Sequence, residues 1–311
     1  MKLLLLLLLA ALGAAGGYSL LTARRQADRL LAHPLIVRRR RYADDPAREP
    51  ATLLQTAGLA ALPLCLTSAD GLHLNAWYLP APGSASLILL HGYKMDCGEM
   101  VPYAQLLVRH GFGVLLLDLR GHGNSAGEDI RFGQQEWQDI AAAADFLHQR
   151  NPAGAIGLLG NSMGGALALC YAARDPRIAA VVAHSPYASV RHSLRRGVKR
   201  FTGLPAFPFV PLIRLHSRTR VDLDASDIAP LACIGQIAPR PVLLLMGGRD
   251  SVVEPSGAFA LQQAGGDHCQ LWYEPELEHV AFLDERPAQF EQRLISFLRQ
   301  HLLAQEESPG R

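Results

Sequence analysis

The chain has 311 residues, a net charge of +2, and 49% hydrophobic against 19% charged residues. That length can fold around one large core, and the balanced charge leaves no electrostatic footprint for nucleic acid, which is therefore not expected as a partner. Five scattered cysteines (Cys65, Cys97, Cys170, Cys233 and Cys269) contain no C-x-x-C pair and indicate neither a disulfide framework nor a zinc site.

Residues 3–22 carry no charge and open with seven leucines. At about 1.5 Å per residue this stretch reaches across a bilayer, so residues 1–23 read as an N-terminal transmembrane anchor. The competing reading is a secretory signal segment, because residues 11–17 are rich in small side chains suited to cleavage, followed by export. Arg24, Arg25, Arg29 and Arg38 to Arg41 lie on the C-terminal flank, so the positive-inside rule favours a single-pass anchor with the catalytic side in the cytoplasm. Residues 24–61 read as a basic linker and lead-in.

From residue 62 the pattern changes to apolar runs alternating with helical stretches. Segments 62–67 and 72–79 form a strand pair about the turn Ser68-Ala69-Asp70-Gly71. Strands follow at 87–90, 113–117, 155–159 and 178–183, with helices at 98–110, 134–149 and 165–174. An insertion covers about 187–237. Strand 241–246, helix 255–264, strand 268–273 and helix 287–303 complete the series. Runs such as Val114-Leu115-Leu116-Leu117 are apolar at every position, as expected for parallel strands buried on both faces. The alternation predicts an α/β fold with a doubly wound, mostly parallel sheet spanning residues 62–305.

Run 155–159 ends in Gly160-Asn161-Ser162-Met163-Gly164 and passes directly into a helix. G-x-S-x-G between strand and helix is a nucleophile elbow, in which a sharp turn exposes the serine and leaves no room for side chains at the flanking glycines. A serine hydroxyl needs a base to take its proton, an acid to orient that base, and donors for the developing oxyanion. In an open α/β sheet these belong at the carboxyl ends of the strands. Asp250 follows strand 241–246 and His279 follows the last strand, giving the chain order Ser…Asp…His. Backbone N–H groups of Met163 and Tyr93 are placed as oxyanion donors. Glu254 is a local rival to Asp250. His91 and His122, in glycine-flanked turns, are expected to bind backbone groups, Asp118 to brace the loop Arg120 to Ser125, and Glu136 and Asp139 to be solvated or structural.

These residues resemble the serine α/β-hydrolase superfamily, within it the branch of serine aminopeptidase-like and esterase-like hydrolases. The likeness rests on His91-Gly92-Tyr93, Asp118 to Ser125, Gly160 to Gly164, Ser185-Pro186-Tyr187, Gly247 to Asp250 and Glu278-His279. It implies an α/β-hydrolase fold with a small cap at 187–237 and a serine triad, and it is unspecific for substrate; hydrolysis of carboxylic esters, including lipid-like ones, through an acyl-enzyme is the expected activity. It implies no metal and no organic cofactor. A peptidase or amidase with the same triad is the alternative, and a membrane-tethered, non-catalytic binding protein is the alternative from another class. His184 stands where related chains often carry an acid, which excludes a triad acid on that strand and favours Asp250.

Overall fold

The computed structural model describes residues 2–31, 45–80, 83–223 and 228–303. Helices α1 (Lys2–Leu31) and α2 (Pro50–Thr56) precede strands β1 (Leu62–Thr67) and β2 (His73–Leu79). Then come β3 (Ser86–Leu90), α3 (Val101–Arg109), β4 (Gly113–Leu117), α4 (Trp137–Arg150), β5 (Ile156–Asn161), α5 (Met163–Ala172) and β6 (Ile178–His184). The insertion forms α6 (Val190–Thr202), α7 (Ala206–Val221) and the short α8 (Pro230–Cys233). Strand β7 (Val242–Gly247), α9 (Ser256–Gly265), β8 (Cys269–Glu274), α10 (Phe282–Glu285) and α11 (Pro287–Leu298) close the fold.

The strands make one eight-stranded sheet in the order β1-β2-β4-β3-β5-β6-β7-β8. Strands β1 and β2 run antiparallel to their neighbours, and every pairing from β4 to β8 is parallel. Alternation in β3 shows why its residues are all apolar. Ile88 and Leu90 enter the core shared with α4, α5 and α9, while Leu87 and Leu89 enter the core shared with α3 and α11. Crossovers run one way from β3 to β4 and the other way from β4 to β5. That reversal opens a crevice beyond the carboxyl ends of β3 and β5, the usual place for a ligand in such sheets.

The N-terminal segment differs from expectation. Among the described residues no helix is long and apolar enough to cross a membrane, which overturns the membrane anchor and the localisation built on it. The physical reason lies in the second half of α1. It carries Arg24, Arg25, Asp28 and Arg29, and it docks on the protein's own insertion. Ala23 and Ala27 are fully buried with Val198, Phe209 and Ile213 in an apolar cluster separate from both sheet cores. Asp28 pairs with His216 (3.0 Å) and Arg220 (3.5 Å) of α7. Residues 24–31 are therefore helix rather than linker, and Arg38 to Arg41 lie outside the described residues.

Candidate active site

Ser162 sits between β5 and α5 with φ 51° and ψ −110°, a conformation that costs a non-glycine residue about 1–3 kcal/mol and persists only where its surroundings enforce it. The flanking glycines are part of that enforcement. A Cβ on Gly160 would lie 2.3 Å from the Gly164 carbonyl, and one on Gly164 would lie 2.2 Å from the Leu90 carbonyl oxygen. Both obstacles are backbone and have no room to yield. The Ser162 N–H donates to the His184 carbonyl (2.7 Å), which fixes the elbow to the end of β6.

Asp250 and His279 are brought into direct contact. Asp250 follows β7, and its fully buried carboxylate receives Nδ1 of His279 at 2.6 Å through Oδ2. Its Oδ1 accepts the Val252 and Val253 N–H groups at 2.9 and 2.8 Å, so both oxygens are occupied. Holding Nδ1 leaves Nε2 as the free edge of the His279 ring, which is 20% exposed. Glu254 is instead drawn away by Arg196, at 2.7 Å on the surface. Ser162 Oγ has no hydrogen-bond partner among the described residues, and such contacts often tighten only once substrate is bound. Met163 is the first residue of α5, so its N–H is among the helix's first four donors, which have no intrahelical acceptor. Tyr93 lies in the turn after β3.

The remaining candidates are scaffold. His91 donates from Nδ1 to the Gly92 carbonyl (2.8 Å) and accepts the Leu119 N–H at Nε2 (3.1 Å). His122 does the same with the Arg120 carbonyl and the Lys94 N–H. Asp118 accepts from the Cys97 and Asn124 N–H groups and the Asn75 amide. Glu136 and Asp139 are fully buried rather than solvated. Glu136 accepts the Arg131 and Gly133 N–H groups, and Asp139 pairs with buried Arg120, which also reaches Asp70. Burial raises the Asp139 carboxyl to about 6, while the Arg120 hydrogen bond lowers Asp70 to about 2.

The roles of two supports, Glu99 and Ser185, were not legible in the sequence. Glu99 accepts the Gly92 N–H at 2.6 Å and the Asn161 amide at 3.4 Å, so one carboxylate links the residues just before Tyr93 and Ser162. Burial raises its carboxyl above the ordinary value. Ser185 accepts the Val280 N–H at 3.2 Å and ties the His279 turn to β6. The Glu99–Asn161 and Ser185–Val280 contacts join segments far apart in the chain, and no spacing rule announces them.

A cavity of about 400 Å³ opens on Ser162 and Met163. Its walls are Tyr93, Phe132 and Tyr187, the inner faces of α6 and α7, and Leu30 and Leu31 at the end of α1. Apolar side chains dominate, as in sites that bury most of a ligand's surface.

Residues 81–235 match the family described as serine aminopeptidase, S33. The chain is 28% identical over 236 residues to monoglyceride lipase of Rattus norvegicus, covering 64% of this chain and 77% of that protein. It is 27% identical over 219 residues to the protein YqkD of Bacillus subtilis, covering 69% and 72%. The structure superposes on an esterase of Pyrococcus furiosus with a TM-score of 0.69 at 26% identity, covering 80% of this chain and 94% of that one. Sheet order, elbow and these likenesses define an α/β hydrolase. The chain belongs to the serine α/β-hydrolase superfamily.

Proposed function

We propose that this hydrolase cleaves carboxylic esters through an acyl-enzyme, with Ser162 as nucleophile, His279 as base and Asp250 as orienting acid. What supports the reading is the strained Ser162 elbow lining an apolar cavity, together with a histidine whose Nδ1 is held by Asp250. An ester enters with its acyl group in the cavity. Ser162 Oγ attacks the carbonyl carbon while Nε2 of His279 takes the hydroxyl proton. Asp250 stabilises the imidazolium and keeps Nδ1 protonated. The oxyanion is received by the N–H groups of Met163 and Tyr93, each worth about 3 kcal/mol in the transition state. Collapse expels the alcohol, which takes the proton from His279. Water then repeats the sequence to release the acid.

An amide substrate would use the same groups. The ester reading is favoured because the cavity lining carries Arg214 and Arg218 and, among the described residues, no carboxylate to receive a substrate ammonium. The likeness to a lipase and an esterase supports the same choice. The test is a burst of p-nitrophenol from wild type and Ser162→Ala. A burst lost in the variant supports the acyl-enzyme; equal turnover in the two overturns it.

A further inference from the structure

We propose that the last turn of α1 is a wall of the substrate cavity, with Leu30 limiting the length of acyl group that Ser162 can serve. This rests on the ester-hydrolase reading and goes beyond it, because it gives a specificity role to an element outside both the sheet and the insertion.

The geometry is particular. A helix ends with carbonyls that lack intrahelical donors. In α1 the last three carbonyls are taken up by loops beside the site. The Arg29 carbonyl accepts from Lys94 Nζ (2.8 Å), the Leu30 carbonyl from the Tyr93 hydroxyl (2.7 Å), and the Leu31 carbonyl from the Ile130 N–H (2.9 Å). Tyr93 is the same residue whose N–H is assigned to the oxyanion, so the helix end and the donor loop share an anchor. The other side of the turn is held equally firmly. Ala27 and Leu31 are buried, and Asp28 is bonded to His216 and Arg220. Arg220 continues to Asp129, next to Ile130. Leu30 is half-buried and lines the cavity together with Ser162. A side chain fixed in this way sets a boundary, since neither its backbone nor its neighbours can swing aside cheaply.

The experiment is a chain-length profile. Specificity constants for p-nitrophenyl acetate, octanoate and laurate are measured on wild type, Leu30→Trp and Leu30→Ala, with thermal melts as the check on folding. The larger side chain should lower the laurate-to-acetate ratio by about tenfold, and the smaller one should raise it, since a pocket discriminates on that scale per few methylenes. Ratios that stay at the wild-type value in both variants, or shift the same way in both, overturn the proposal. A binding arm separates this from failure of the ester reading. Dansyl-undecanoic acid is titrated into Ser162→Ala with and without Leu30→Trp. If wild type cleaves no ester, a weakening by about tenfold on adding Leu30→Trp still supports the wall, and unchanged binding overturns it.

Discussion

Val280 donates its backbone N–H to the Ser185 hydroxyl at 3.2 Å, and both residues hold left-handed φ values, 56° and 51°. For a β-branched residue such as Val280 that conformation is an outlier. This bond is what keeps the turn carrying His279 against the end of β6, one strand from the elbow. Ser185→Ala should leave the Val280 N–H without its acceptor at a cost of about 1–3 kcal/mol. The turn relaxes and the imidazole loses its aim. Turnover should fall by about tenfold with KM little changed, read by steady-state kinetics.

Asp250 and Glu254 separate cleanly. Asp250→Asn keeps the shape but permits the wrong tautomer of His279, so turnover should drop by about four orders of magnitude. Glu254→Gln loses only a surface pair with Arg196, at 52% exposure, and should change turnover by less than about threefold. Comparable losses from both variants would reassign the acid.

Glu99 acts through two other residues, so its signature is in turnover. Glu99→Ala should free the Gly92 N–H and loosen the Tyr93 donor, lowering kcat by about tenfold to a hundredfold. Glu99→Gln retains an acceptor oxygen for Gly92 and should recover much of that loss. A result in which alanine and glutamine behave alike, with only KM affected, would remove Glu99 from the positioning of the donor loop.

His184 gives a pH prediction. Burial, first of all, lowers its imidazole from 6.5 to about 3. Its Nδ1 meets the Tyr103 hydroxyl at 3.2 Å, and Nε2 is buried with no hydrogen-bond partner among the described residues. The unfolded chain therefore binds a proton that the folded chain refuses between those two values. Stability is fully present above pH 6.5 and is lost as pH falls toward 3. His184→Gln does not titrate, so its melting temperature should fall less steeply than wild type between about pH 7 and pH 4, measured by thermal denaturation. Parallel slopes would assign the acid sensitivity to other groups.

The legible part of this molecule was the part where local chemistry decides. Strands β3, β4, β5 and β7 lie within a residue or two of the apolar runs that predict them, because residues buried on both faces have only one composition. The elbow was legible because a Cβ at either flanking glycine would collide with backbone. Helix α1 was misread for a physical reason. Its leucine-rich start suits a bilayer, and the alanine face that docks it has meaning only against Phe209 and Ile213, far along the chain. Ser185 stands in the Ser185-Pro186-Tyr187 stretch, but its role and that of Glu99 were not legible, since a positive φ at serine and a carboxylate shared by two turns leave no pattern in sequence.

The apolar cluster of Ala23, Ala27, Val198, Phe209 and Ile213 stands apart from both faces of the sheet. Contacts that do not pass through the main core can break without melting it, so the stretch of α1 held by this cluster, from Ala23 to Ala27, should open more readily than the sheet. Its amides should exchange with solvent long before those of β3 to β7.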